Sequence, residues 1–142
     1  IWQPRLENAD VIMVGGGNTS YLMGQIKKSG LAQMLPNLLK TRVYVGISAG
    51  SMVVSPNLKE KEMQKLYQEP IMDNDANKGL GFVDFLVVPH MNSPYFPRAA
   101  ELIDEVAKNI DIPLYAIDDQ TAVKVVDGKI EVISEGKWKK FN

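Results

Sequence analysis

The sequence predicts an α/β fold, in which a mostly parallel sheet is flanked by helices and followed by an antiparallel hairpin. Two observations carry this prediction. Short apolar runs of strand length alternate with stretches of helical periodicity, the pattern of strands joined by crossover helices. Near the C-terminus, two β-rich segments are separated by Asp127-Gly128, a dipeptide preferred in type I′ hairpin turns. No repeat or internal boundary interrupts the pattern, so we expect residues 1–142 to form one domain.

The strands of the sheet are predicted from continuous apolar runs, because a strand covered on both faces is apolar throughout. These runs occupy residues 10–14, 43–45, 83–88 and 114–117. The hairpin strands are predicted at residues 122–126 and 129–133.

The helices are predicted from apolar spacing and from their end signals. Asn18, Thr19 or Ser20 can cap a helix through about Lys28, and Gly30 ends it. A helix over 31–40 contains Pro36, either in its first turn or at a kink, and another helix spans 98–109. The charged segment 59–67 is a candidate short helix, and 69–81 has the composition of a loop.

Composition excludes several classes of function. The chain carries 16 lysines and arginines against 17 aspartates and glutamates, and no apolar run approaches the ~20 residues of a membrane span. We therefore expect neither nucleic acid nor a membrane as a partner. The chain has no cysteine and only one histidine, so we expect no metal and no cofactor. The absence of cysteine also favours a cytoplasmic location.

The strand at 43–45 runs into Gly46-Ile47-Ser48-Ala49-Gly50, which matches the G-x-S-x-G nucleophile elbow. In that motif a sharp turn between a strand and a helix exposes the serine hydroxyl. The following residue, Ala49, supplies one N–H donor for an oxyanion, and a glycine of a neighbouring loop, Gly16, is the candidate for the second.

Four polar features follow predicted parallel strands: the loop 15–18, Ser48, His90 and the pair Asp118-Asp119. Ligands of open parallel sheets bind outside the carboxyl ends of the strands, so these features are expected at one edge. A serine becomes a nucleophile when an imidazole accepts its proton and an acid orients that imidazole. The sequence therefore predicts a hydrolase site at this edge.

Each feature also has a purely structural interpretation. The glycine loop is compatible with a tight turn or a phosphate cradle, although it lacks both the G-x-G-x-x-G spacing and a P-loop lysine. His90 is compatible with an ordinary loop histidine, and Asp118-Asp119 with a turn or cap.

Together these segments resemble peptidase family S51, which includes α-aspartyl dipeptidases. Residues 14–19 are similar to the G-G-G-N-T loop of that family, residues 44–50 to its nucleophile segment, and Pro89-His90 with Asn92 to its histidine turn. The order and spacing agree from about residue 8 to residue 126. The resemblance implies a fold related to class I glutamine amidotransferases, with a flavodoxin-like arrangement of strands.

The resemblance also implies roles for individual residues. Ser48 would be the nucleophile, His90 the base, and the N–H groups of Gly16 and Ala49 the oxyanion donors. The triad acid of the family is a glutamate just after the last parallel strand. At that position this chain has Asp119, whose side chain is one methylene shorter. Glu69 is the alternative acid. The expected substrate contacts come from Asn18, Asn92 and Arg98.

Two departures from the family pattern bear on substrate and partners. Family members begin with a further βα portion, so the resemblance implies that an N-terminal portion is missing here. The arginine-bearing loop after the histidine, tied to recognition of N-terminal aspartate, is shortened, which leaves Arg98 as the cation nearby.

We therefore expect a serine peptidase that hydrolyses short peptides, with dipeptides bearing N-terminal aspartate as the narrower expectation. The alternatives are a non-catalytic peptide- or small-molecule-binding relative and a cyanophycinase-like hydrolase. A homodimer, or association with the missing N-terminal segment, is the expected protein partnership.

Overall fold

A computed structural model describes residues 2–73, 75 and 77–142, and it has the predicted α/β character. The helices are α1 (Gln3–Glu7), α2 (Thr19–Lys28), α3 (Leu31–Leu38), α4 (Ala49–Met52), α5 (Glu60–Tyr67) and α6 (Pro97–Ala107). The strands are β1 (Val11–Val14), β2 (Val43–Gly46), β3 (Leu86–Val88), β4 (Leu114–Ile117), β5 (Thr121–Val126), β6 (Lys129–Ser134) and β7 (Trp138–Phe141).

The described strands form three small sheets, of which one is parallel, one is mixed and one is antiparallel. β1 pairs with β2 in parallel, β3 pairs with β4 in parallel while β7 joins β4 antiparallel, and β5 pairs with β6. The expectation of a mostly parallel sheet is therefore met only by the pairs β1–β2 and β3–β4. The reason is that an apolar run identifies a strand, whereas its partners depend on backbone hydrogen bonds that the run does not specify.

The predicted hairpin is present and in register. Val123 lies opposite Val132, and Asp127 and Gly128 have φ angles of 50° and 75°. A type I′ turn requires positive φ at both central residues, and glycine and aspartate tolerate it.

β7 and α1 were not predicted. β7 has the sequence Trp-Lys-Lys-Phe, and because of its two lysines it is not a continuous apolar run of the kind that predicts a strand. Its register with β4 places Trp138 opposite Ile117 and Phe141 opposite Leu114. Within α3, Pro36 lies beyond the first turn.

The core surrounds β4 on both faces. Leu114 and Ala116 pack in one apolar cluster with residues of α5 and α6, while Tyr115 and Ile117 pack in another with Phe85. Because all four residues of β4 are buried, its C-terminal end is a fixed support for the residues that follow it.

β1 is covered differently from the expectation of a strand buried on both faces. Ile12 and Val14 are buried against α2 and α3, but Val11 and Met13 are 49% and 65% exposed. Apolar composition reports the tendency to be buried, and only the surrounding elements decide how many faces are covered.

Candidate active site

Ser48 lies at a sharp junction between β2 and α4. Its backbone has φ 55° and ψ −120°, a conformation that costs energy for any residue with a side chain. The junction is held by hydrogen bonds from the Ile47 N–H to the Val14 carbonyl (2.9 Å) and from the Gly50 N–H to the Ile47 carbonyl (3.0 Å). The surroundings thus impose on Ser48 the strained turn of a nucleophile elbow.

The two outer glycines of the motif are required by close backbone contacts. A Cβ on Gly46 would lie 2.4 Å from the Gly50 carbonyl oxygen, and one on Gly50 would lie 2.0 Å from the Val14 carbonyl oxygen. The hydroxyl of Tyr44 donates to the same Gly50 carbonyl at 2.7 Å. Burial raises the pKa of the Tyr44 phenol, so this donor keeps its proton.

His90 follows β3 and is also held in an uncommon conformation, with φ at 67°. The preceding residue, Pro89, is buried, and its carbonyl accepts a 2.8 Å hydrogen bond from the Tyr67 hydroxyl. Phe96 stacks on the imidazole with a centroid separation of 4.8 Å and an interplanar angle of 24°. The ring of His90 is therefore positioned by its backbone and by an aromatic neighbour.

The structure brings Ser48, His90 and Asp119 together although they are far apart in the chain. His90 Nε2 lies 2.9 Å from Ser48 Oγ, and His90 Nδ1 lies 2.6 Å from Asp119 Oδ1. An ionised carboxylate only accepts hydrogen bonds, so it favours the tautomer with the proton on Nδ1. Nε2 is then the acceptor that faces the Ser48 hydroxyl.

Asp118 and Asp119 have different surroundings. Asp118 is buried and accepts hydrogen bonds from the backbone N–H groups of Lys137 and Gln120 and from the Thr121 hydroxyl. These hydrogen bonds lower the pKa of the Asp118 carboxyl, and the bond from the Lys137 N–H has the largest effect. The Asp119 side chain is 59% exposed and contacts His90. Of these two carboxylates, Asp119 is the one within hydrogen-bonding distance of His90.

Two N–H groups close to Ser48, those of Gly16 and Ala49, have no acceptor among the described residues. Gly16 approaches the serine so closely that a Cβ there would lie 3.0 Å from Ser48 Cβ. Ala49 is the first residue of α4, where N–H groups lack partners within the helix.

The three candidate substrate contacts, Asn18, Asn92 and Arg98, differ in their hydrogen bonding and exposure. Asn92 and Arg98 are exposed, and across the described residues Arg98 forms no ion pair. Asn18 caps α2 by accepting from the Tyr21 N–H at 2.9 Å, and its Nδ2 donates to the Pro70 carbonyl at 2.8 Å. Its amide therefore holds two chain segments together.

Glu69 lies beside the site but contacts Thr19 rather than His90. The Thr19 N–H donates to Glu69 Oε2 at 3.1 Å, and its hydroxyl lies 3.5 Å from the same oxygen. A small open cleft is lined by Ser48, His90 and Glu69, among others. The negative charge of Glu69 adds to burial in raising the pKa of the Tyr67 phenol, so Tyr67 remains a donor to the Pro89 carbonyl.

Sequence reasoning missed two contributions to the site. Asn18, Thr19 and Ser20 hold the segment 69–72, because the Ser20 hydroxyl accepts from the Met72 N–H at 2.8 Å in addition to the contacts above. The stacking of Phe96 on His90 was the other. Consecutive polar residues at a helix start give a local signal only for capping, and no local pattern pairs them with a loop fifty residues away.

The described residues contain neither a group of metal-binding side chains nor a helix that could span a membrane. Over the described residues, no three histidine, cysteine or acidic side chains are grouped so that they could hold a metal ion. In that same part of the chain, every helix is too short or too polar to cross a bilayer.

The chain is similar to known peptidases in sequence and in structure. The sequence model of peptidase family S51 matches residues 2–133. An uncharacterized peptidase of Pasteurella multocida (strain Pm70) is 35% identical over 124 residues, covering 85% of this chain and 58% of that protein. Peptidase E of Nostoc sp. (strain PCC 7120) is 30% identical over 135 residues, covering 90% of this chain and 54% of that protein.

A solved structure shows the same fold. The crystal structure of a candidate Peptidase E from Listeria monocytogenes EGD-e superimposes with a TM-score of 0.72 at 25% identity, covering 94% of this chain and 63% of that chain. This chain thus spans about half to two thirds of the length of these relatives. The family match extends over nearly all of the sequence, and the chain belongs to peptidase family S51.

Proposed function

We propose that this chain carries the catalytic site of a serine peptidase that hydrolyses short peptides, with Ser48 as nucleophile. The observation that carries the proposal is the linear series of contacts from Ser48 Oγ to His90 Nε2 and from His90 Nδ1 to Asp119 Oδ1. A hydroxyl, an imidazole and a carboxylate in this order form the general relay of serine hydrolases. The family membership supports the same class of reaction.

The proposed reaction begins when Ser48 Oγ attacks the carbonyl carbon of the scissile bond and passes its proton to His90 Nε2. The carbonyl oxygen becomes an oxyanion that accepts hydrogen bonds from the N–H groups of Gly16 and Ala49. Each such donor is typically worth about 3–4 kcal/mol of transition-state stabilisation. His90 then protonates the leaving amine, and an acyl ester of Ser48 remains.

The second half of the reaction repeats these roles with water. His90 accepts a proton from the water as it attacks the acyl ester, and the Ser48 oxygen recovers that proton when the acid product leaves. Asp119 keeps the proton of the imidazole on Nδ1 in both halves and stabilises the imidazolium between them.

The narrower part of the proposal is a preference for dipeptides with N-terminal aspartate. Arg98 supports it because its exposed guanidinium belongs to the first turn of α6, two residues after Phe96, which stacks on His90. A guanidinium pairs well with a carboxylate. Asn92, in the turn after His90, is a second proposed contact to substrate, and Asn18 acts through the segment that it holds.

The test compares the intact protein with Ser48→Ala on Asp-Xaa and Asn-Xaa dipeptides. We expect Ser48→Ala to lose at least about 10⁴-fold in kcat, as when a triad member is removed, and Asp-Xaa to be the better substrate of the intact protein. A fluorophosphonate probe should label Ser48. Equal hydrolysis by both proteins would reject the proposal, and binding of dipeptides without labelling would favour the non-catalytic relative.

A further inference from the structure

We propose that Glu69 binds the free N-terminal ammonium of the peptide, so that Ser48 attacks the first peptide bond only. This inference rests on the proposed function and adds a residue that determines where the peptide is cut. It gives Glu69 a role different from that of a triad acid.

The first support is the position of the Glu69 side chain. It lines the same cleft as Ser48 and His90, yet its hydrogen bonds go to Thr19. His90 Nδ1 is taken by Asp119, so the orienting of the imidazole does not require Glu69. A half-buried carboxylate that shares a cleft with a nucleophile and does not contact the imidazole of its relay is available to bind substrate.

The second support is the way in which the carboxylate is held. Both contacts from Thr19 go to Oε2, and within the described residues Oε1 accepts no hydrogen bond. The bonds from Asn18 to Pro70 and from Met72 to Ser20 fix the backbone on the C-terminal side of Glu69. The side chain is thus preorganised, with one oxygen left for a donor.

The third support is the local charge. No lysine or arginine of the described chain forms an ion pair with Glu69. An adjoining cavity shares Thr19 and Glu69 with the cleft and is also lined by Glu60, whose Oε1 is buried without a recorded partner. A half-buried negative charge without a cation is a favourable place for a bound cation.

The covalent geometry of a peptide identifies this cation as the substrate's own ammonium. The N-terminal nitrogen is two bonds from the first carbonyl carbon, at about 2.5 Å. When Ser48 attacks that carbon, the ammonium must lie within the same small cleft. An internal bond would instead place a neutral amide opposite Glu69, with no charge to balance the carboxylate.

The experiment uses Glu69→Gln, which removes the charge and keeps an oxygen that can accept from Thr19. The substrates are aspartyl p-nitroanilide and its N-acetyl derivative, and Glu101→Gln on the exposed face of α6 is the matched control. We expect Glu69→Gln to raise KM for the free-amino substrate about 10- to 100-fold, as for loss of a hydrogen bond between charged groups. Turnover of the N-acetyl substrate should not change.

A pH series separates binding of the ammonium from a structural role. A peptide N-terminus loses its proton near pH 7.7–8.0. The KM of the intact protein for the free-amino substrate should therefore rise above about pH 8, and that rise should be absent in Glu69→Gln. An equal loss on both substrates would overturn the inference and assign Glu69 to structure or to the triad.

Binding measurements keep this test distinct from the test of catalysis. Calorimetry on Ser48→Ala and on Ser48→Ala/Glu69→Gln compares an Asp-Xaa dipeptide with its N-acetyl form without any turnover. Weaker binding of the free-amino form alone in the double variant supports the inference even if Ser48 proves inactive. Equal affinity of the two proteins for the free-amino form, or no binding by Ser48→Ala, overturns it.

Discussion

Asp118 and Asp119 are adjacent in the chain and follow the same strand, but they have opposite surroundings. Asp118 is buried and accepts hydrogen bonds from the Gln120 N–H in its own turn, from the Thr121 hydroxyl at the start of β5 and from the Lys137 N–H just before β7. Asp119 is largely exposed, and its recorded partner is the imidazole of His90. One carboxylate holds the turn in place, and the other contacts His90.

The difference between the two aspartates shows how the fold can hold an exposed side chain in a defined orientation. An exposed aspartate has little packing to fix it, so its orientation depends on the backbone that carries it. Asp118 fixes that backbone by accepting hydrogen bonds from the N–H groups of Gln120 and Lys137. We infer that Asp118 supports the site through structure and that Asp119 takes part in the chemistry.

Among the changes that test the comparison of the two aspartates, the largest expected effect comes from Asp119→Asn. The asparagine amide favours the wrong tautomer of His90, and we expect kcat to fall about 10⁴-fold. The thermal unfolding midpoint should stay close to that of the unsubstituted protein, because changes at exposed positions usually alter stability by less than about 0.5 kcal/mol. Peptide hydrolysis and thermal melts measure the two quantities. Near-normal activity would mean that another group orients His90.

Asp118→Ala should have the converse profile. It leaves the Lys137 and Gln120 N–H groups without their acceptor, and we expect a loss of about 1–3 kcal/mol in the free energy of unfolding. Urea titration measures this loss, and kcat of the folded fraction should fall far less than in Asp119→Asn. Unchanged stability would show that water replaces the carboxylate at no cost.

The pH dependence of stability sharpens the assignment of Asp118. Its pKa is lower in the folded protein than the usual value near 3.8, so folding favours the ionised form. That stabilisation is complete above the usual pKa and is lost as the pH falls through the lowered folded value. Relative to Asp118→Asn, the intact protein should lose its advantage below about pH 4. A stability difference that does not vary from pH 7 to pH 2 would contradict this assignment.

The smallest effect is expected from Phe96→Leu, which removes the aromatic ring stacked on His90. Stacked aromatic pairs contribute about 0.5–1.5 kcal/mol, so kcat/KM should fall about 2- to 10-fold. Labelling of Ser48 by the fluorophosphonate should slow by a similar factor. A loss as large as that of Asp119→Asn would mean that stacking, and not the carboxylate, controls the orientation of the imidazole.

Much of the fold was predictable because its signals are local. The apolar runs before Gly15, Gly46, Pro89 and Asp118 identified strands, and Asp127-Gly128 identified the hairpin turn. Pairing was not predictable, since β7 is a short lysine-containing segment that becomes a strand only through its register with β4. The exposure of Val11 and Met13 likewise depends on which elements lie over β1.

The site divides in the same way. Local motifs were enough to identify Ser48, His90 and the pair Asp118-Asp119 as candidates and to suggest Gly16 and Ala49 as donors near the serine. The resemblance to peptidase family S51 was needed to single out Asp119. The position of Glu69 required the tertiary structure, because its contact with Thr19 spans fifty residues and falls in a segment with loop composition.

By itself, the sequence determined where strands end, which residue types follow them, and that the chain lacks thiols and has a single imidazole. The tertiary structure alone decided that Asp118 turns inward while Asp119 meets His90, and that Glu69 enters the cleft. The physical reason is that strand ends and tight turns arise from the stereochemistry of neighbouring residues. Distances between side chains from different segments are set by packing of the whole chain.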